Sequence, residues 1–207
     1  MKRQTTLPVC MVLMLSLGQS LAAPPQIEAP KPKISNEPLT AEQVAVYRAV
    51  LEDYTNGTNG TLNLANRTEP LEASDRACLK GKPDGAESPV PIVHQLDSTL
   101  MLNRKFVLVD PDSQAEVIKE NDPQKVIMNV IDDRKAPSTK QVDDSVKRAF
   151  DSGLFTLSEI LFDKQHRRAV MAYSFACGML CGHGNTLVLR RVGQRWKVSK
   201  TCGGWVS

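Results

Sequence analysis

Apolar residues recur along this chain at two spacings, and the change from one to the other divides it. Val44, Tyr47, Leu51 and Tyr54 fall on one face at helical spacing. Thr40 can cap that helix, Gln43 stands three residues later as in a capping box, and Leu39 can staple onto Val44. Asn56-Gly57 ends it. Ser113 and Glu116 form a second capping-box pair, which opens a short helix running to Glu120. Asp122-Pro123 offers a cap and a first-turn proline ahead of the apolar face Val126, Ile127, Val130 and Ile131. Val142, Val146, Phe150 and Leu154, each four apart, are helical again, with Asp143 and Asp144 favouring the start through the helix dipole.

From Phe155 the period becomes two. Candidate strands are 155–162, 169–176, 186–192 and 195–201, joined by a polar connection at 163–168 and by a glycine-first turn at Gly193-Gln194. Earlier strand candidates are 61–65, 90–96 and 105–109. Residues 66–89 read as loop, broken by Gly81, Pro83, Gly85 and Pro89. Helices first and strands after, without βαβ alternation, predict an α+β fold: N-terminal helices packed on a C-terminal antiparallel β-meander. Helices on one curved sheet are also the cystatin-like or NTF2-like architecture, an analogy that carries no function.

The first 22 residues pattern differently. Lys2 and Arg3 precede the uncharged run 7–18, and small residues follow at Ser20-Leu21-Ala22-Ala23. That is the pattern of a secretory signal peptide, cut after Ala22. The run is short for a bilayer span of about 20 residues, and Cys10 lies inside it, so no lipoprotein anchor is read. Residues 23–39 carry five prolines among polar and charged residues and read as an extended tether. Residues 40–207 are then a single α+β domain, exported to the periplasm or the medium, with no further transmembrane segment expected.

The formal charge of the whole chain is +3, which excludes a bulk nucleic-acid signature, but its distribution is uneven. Residues 164–207 hold eight basic side chains (Lys164, Arg167, Arg168, Arg190, Arg191, Arg195, Lys197, Lys200) and no acidic one. Residues 23–163 stand at −7. A basic sheet beside acidic helices accounts for this within one fold; an anionic envelope partner held by Arg190, Arg191, Arg195 and Lys197 is the functional reading.

Four cysteines follow the leader, Cys78, Cys177, Cys181 and Cys202, and an even count in an exported chain predicts two disulfides with three possible connectivities. Cys177 and Cys181 are four apart across a glycine-rich loop, a spacing that allows a disulfide. The remaining pair, Cys78 with Cys202, would tie an early loop to the last strand. Around this point the chain resembles a group of uncharacterised exported bacterial proteins. The resemblance rests on Leu157-Ser158 and Phe162-Asp163, then Cys177-Gly178-x-x-Cys181-Gly182-x-Gly184, the strand Trp196-x-Val198 and a last Trp205-Val206-Ser207. It covers roughly the final 50 residues and implies export and a cysteine-bearing hairpin, but no activity.

Other chemistries can be drawn from the same residues. Cys177, Cys181, His183 and Cys202 would make a Cys₃His zinc set, against which stand an oxidising compartment and a loose C-x₃-C spacing. Cys181 beside His183 could serve as a thiol nucleophile and base, with no orienting third group. Ser158, Glu159 and His166 could form a hydrolase set, without a nucleophile-elbow signature. His94 and His166 read more simply as surface residues. Asp132-Asp133 and Asp143-Asp144 are adjacent pairs that do not face one site on a helix. Three Asn-x-Thr triplets (Asn56, Asn59, Asn66) read as turn-prone polar sequence, and Trp196 and Trp205 as strand residues packing on the core. The expectation is a non-enzymatic binding or envelope-structural domain without a cofactor, and the alternative is an enzyme or zinc site at the cysteine hairpin.

Overall fold

The computed structural model describes residues 31–56, 61–80, 82–85, 90–100, 106–125, 128 and 136–207. Outside them lie the leader, the first part of the tether, Asn59, the apolar positions Val126, Ile127, Val130 and Ile131, and Asp132-Asp133. The structure is α+β. Its elements are β1 (Lys33–Ser35), α1 (Ala41–Thr55), β2 (Leu62–Ala65), α2 (Ala73–Arg76), β3 (Ile92–His94), β4 (Phe106–Val109), α3 (Pro111–Glu120), α4 (Thr139–Ser152), β5 (Leu154–Leu157), β6 (Leu161–Phe162), β7 (Arg168–Gly178), β8 (Cys181–Val192) and β9 (Arg195–Val206). The main sheet runs β4-β2-β5-β7-β8-β9, with β6 also paired to β7.

The meander is present: β5, β7, β8 and β9 pair antiparallel in succession, and Val192 opposes Arg195 across a two-residue turn. Gly193 has φ +61°, the conformation that the first turn position needs and that glycine adopts freely. The other half of the sheet departs from the prediction. β2 pairs parallel with both β4 and β5, so the sheet is mixed. The proline-rich stretch also contributes structure, because β1 pairs parallel with β3 in a separate two-stranded sheet. Part of the 66–89 loop is helical, as α2.

α1 forms as its capping box requires: the Thr40 side chain accepts from Gln43 N–H, and the Gln43 side chain accepts from Thr40 N–H at 2.8 Å. It buries Val46, Tyr47, Val50 and Leu51 against one face of the sheet, where Phe155, Leu157, Ala169, Met171, Leu187, Leu189 and Trp196 point. The neighbouring strand positions, Val170 and Val188, face the other way and pack with Leu71 and Leu79 around α2. The sheet is therefore covered on both faces. α3 is capped by Asp110, which accepts from Ser113 N–H at 2.9 Å, rather than by Ser113.

α4 differs from its periodicity. Val142, Val146 and Phe150 form the apolar stripe, yet the helix turns Ser145, Ala149 and Ser152 inward and leaves Phe150 55% exposed. Small residues bring the helix close to the sheet, with Ala149 fully buried, and Phe150 stacks on Phe175 at 6.0 Å from the rim.

Candidate functional site

The cysteine hairpin is tighter than a glycine-rich loop. β7 and β8 pair up to Gly178 opposite Cys181, with a bulge at Cys177 between Ala176 and Gly178, so only Met179 and Leu180 form the turn. Cys177 is bonded to Cys181, with Cα atoms 5.0 Å apart. Gly178 has φ +144°, and a Cβ there would press on the Asp122 carboxylate at 3.0 Å. That carboxylate accepts from Met179 N–H at 3.0 Å, hooking the end of α3 onto the hairpin tip. The other two glycines of the motif serve the last strand. A Cβ on Gly184 would collide with the Trp205 indole nitrogen, and one on Gly182 would lie 3.2 Å from the same ring. The Cys-Gly-x-x-Cys-Gly-x-Gly pattern thus encodes a close seat for Trp205, which lies against these glycines half exposed and, unlike Trp196, does not pack on the core. Gly184→Val should dislodge the indole at a cost of about 1–3 kcal/mol. A red-shifted tryptophan emission would register the loss, and an unchanged spectrum would mean that the ring is not seated there.

On the opposite face of the same strands, His183 joins an aromatic cluster with Tyr54, Tyr173 and Phe175. Its Nε2 meets the Tyr54 hydroxyl at 3.3 Å. Burial, aided by the neighbouring Tyr173, pushes the Tyr54 pKa up to about 12, so the hydroxyl keeps its proton. The Cys₃His alternative does not assemble. Cys202 is bonded to Cys78, with Cα atoms 6.1 Å apart, and Cys177 and Cys181 hold each other. The same bonds leave no free thiol for a Cys181–His183 nucleophile. An apolar depression of about 440 Å³ covers this disulfide, walled by Val146, Phe150, Leu180 and Val206.

The hydrolase set is also dispersed. Ser158 donates to the carbonyl of Glu159 at 2.8 Å and accepts from Ala172 N–H at 2.8 Å. Glu159 turns instead to His94, whose Nδ1 lies 3.0 Å from both carboxylate oxygens. The same carboxylate accepts from His94 N–H at 2.9 Å and from the Thr68 hydroxyl. His94 is therefore an inner residue, with its side chain 16% exposed, and not the surface residue its sequence position suggests. The cluster pins β3, and with it β1, to the chain that follows β5.

The charged residues converge elsewhere. A cleft of about 590 Å³ is walled by Lys80 and Lys82 from the loop after α2, Lys164 and Arg167 from the turn before β7, Arg168 at the start of β7, and Arg190 and Arg191 from the end of β8. Among the described residues Asp163 is the one acid in the wall, and its Oδ1 accepts from the N–H groups of Arg167 and Arg168 at 2.8 and 3.1 Å. Strand register sets the cations side by side: Arg168 opposes Arg190, and Arg190 opposes Lys197. Partners directly opposite in a sheet share a face, so three positive side chains form a row across three strands. Like charges so placed cost roughly 0.2–1 kcal/mol per pair. Among the described residues, no carboxylate pairs with any of the three. The Arg168 guanidinium donates to the Lys80 carbonyl, at 3.2 Å.

A histidine braces the cleft. His166, at φ +50°, stacks on Phe162 and lies between two carboxylates, with Nδ1 2.5 Å from Glu42 and Nε2 3.0 Å from Asp84. Glu42 also meets Arg191 Nη1 at 3.4 Å. The hydrogen bonds that the protonated ring donates to Glu42 and then to Asp84 raise the His166 pKa above its ordinary value of 6.5. A raised folded pKa contributes stability that is fully present below pH about 6.5 and is lost as pH climbs through the folded value. His166→Asn, which tolerates the positive φ, should therefore be less stable than the parent in melting curves at pH 6. The gap should close in alkaline buffer, and a gap that widened with pH would reverse this assignment.

Of the cations read from sequence, Arg190 and Arg191 wall the cleft and Lys197 extends the row, whereas Arg195 sits beside the turn opposite Val192 and is not part of the wall. Lys80 and Lys82 had no signal beyond their charge. No protein-family model, no curated protein and no solved structure matches the chain.

Proposed function

We propose that this chain is an exported, disulfide-braced binding domain that holds an anionic component of the cell envelope in its basic cleft. The observation that carries the reading is the row Arg168–Arg190–Lys197, three like charges set on neighbouring strands without a carboxylate opposite them. The repulsion along that row opposes folding, and a bound anion removes its cost. Export is supported by the leader pattern, by the two disulfides and by the resemblance to exported proteins. A binding rather than catalytic role is supported by the engagement of the cysteines and of Ser158 with other partners. The test is retention on an immobilised acidic polymer at about 0.01 M and about 1 M salt, where the Debye length falls from about 30 to about 3 Å. Retention at low salt and release at high salt is expected, and flow-through at low salt would refute the reading.

A further inference from the structure

We infer that the ligand is a linear polyanion laid along a trough, not a single compact anion; this rests on the anion-binding reading above. The cleft does not end at Arg190. A second depression of about 310 Å³ adjoins it, sharing Lys80, Arg168 and Arg190 and reaching Val188 and Lys200. Val188 and Lys200 are cross-strand partners, and Val188 is two residues from Arg190 on the same face. The path therefore runs from Lys82 and Lys164 at one end, over the Arg168–Arg190 pair, to Lys200 at the other. One strand rung advances about 7 Å for each two residues, so Lys200 stands beyond the reach of an anion centred on Arg190.

Size leads to the same class of ligand. The first depression alone falls in the range of about 300–1,000 Å³ that accepts drug-sized molecules, far more than one phosphate or carboxylate fills. Its concavity disfavours a flat bilayer, which would touch only the protruding tips. A flexible chain bearing closely spaced anionic groups can follow the trough and meet its cations in turn. Phosphate-linked and uronate-type polymers share that chemistry.

The experiment titrates the purified full chain at low salt with orthophosphate, tripolyphosphate, long-chain linear polyphosphate and polygalacturonate. At least one long polymer should bind about tenfold tighter per occupied site than tripolyphosphate. Its affinity should fall with salt at a logarithmic slope of magnitude about 3 or more, as several neutralised contacts require. Lys200→Gln, outside the first depression, should weaken the long polymer about threefold and leave tripolyphosphate unchanged, whereas Lys82→Gln, in the wall of the first depression, should weaken both. Preference for polyphosphate over polygalacturonate, or the reverse, supports the proposal and names the source of the charge. Tripolyphosphate binding as tightly as either polymer, with Lys200→Gln silent, would overturn the linear polyanion and leave an anion site standing. Failure of every probe to bind at low salt would remove both readings.

Discussion

Replacing Cys78 and Cys202 together by alanine should lower the free energy of unfolding by about 5 kcal/mol, against about 2 kcal/mol for the same change at Cys177 and Cys181. The two bonds close loops of very different size, with sequence separations of 124 and 4. The entropy removed from the unfolded chain grows with the logarithm of loop length, so the long link dominates. Cys78 directly follows α2 and Cys202 lies in β9, so this bond also clamps the second apolar layer (Leu71, Leu79, Val170 and Val188) over the outer strands. In a domain of this size each kcal/mol moves the melting temperature by roughly 2–4 °C. The first double variant should therefore melt about 10–20 °C lower and the second about 4–8 °C lower. Denaturation of both variants beside the parent, without reductant, reads the difference. Equal losses would mean that the long disulfide spans segments already held together in the unfolded chain.

The second large effect belongs to Glu159. Its carboxylate collects His94 N–H, His94 Nδ1 and the hydroxyl of Thr68, which is 2% exposed. Glu159→Ala leaves His94 Nδ1 without its partner in a site that water reaches poorly, while the His94 N–H keeps the Thr68 hydroxyl at 2.8 Å and that hydroxyl keeps the His94 carbonyl at 3.3 Å, so the loss should be about 2–3 kcal/mol. Glu159→Gln keeps one carbonyl oxygen for the His94 N–H and should cost less, about 1–2 kcal/mol. The damage should be directional. β3 is held to the main body through this carboxylate and through Thr68 N–H donating to the His94 carbonyl at 2.9 Å, and β1 is held through β3. Hydrogen exchange in β1 and β3 should therefore speed up more than exchange in β7 and β8. Uniform acceleration throughout would mean that Glu159 supports the whole sheet and not this corner of it.

What could be read in the sequence, and what could not, follows the range of the interactions. The Thr40–Gln43 cap, the alternation through β7 to β9 and the Gly193 turn are decided within a few residues, and each was legible. The parallel pairing of β2 with β5 joins Leu64 to Phe155, 91 residues apart in sequence, and no local pattern encodes it. α4 misled because its stripe of Val142, Val146 and Phe150 is longer than its buried face, while the inward residues are small and do not stand out in a hydrophobic period. The cleft was half visible. Its cations on β7 and β8 belong to a stretch free of acids, but Lys80 and Lys82 reach it through the fold of the loop that Cys78 anchors. The carboxylates that hold His166 come from Glu42 and Asp84, 124 and 82 residues away. His94 and Glu159 are likewise partners by folding alone.

The most direct test of the account is the stability and binding of Arg190→Met, which keeps most of the aliphatic stem and removes the central charge of the row. If the row exists to hold an anion, the ligand-free variant should be no less stable than the parent, and up to about 1 kcal/mol more so as two like-charge contacts disappear. Its affinity for an anionic polymer at low salt should at the same time fall about tenfold, or about 1.4 kcal/mol. A variant that melts lower and binds as well as the parent would show that Arg190 serves the fold, and would contradict the assignment of the cleft as a binding site.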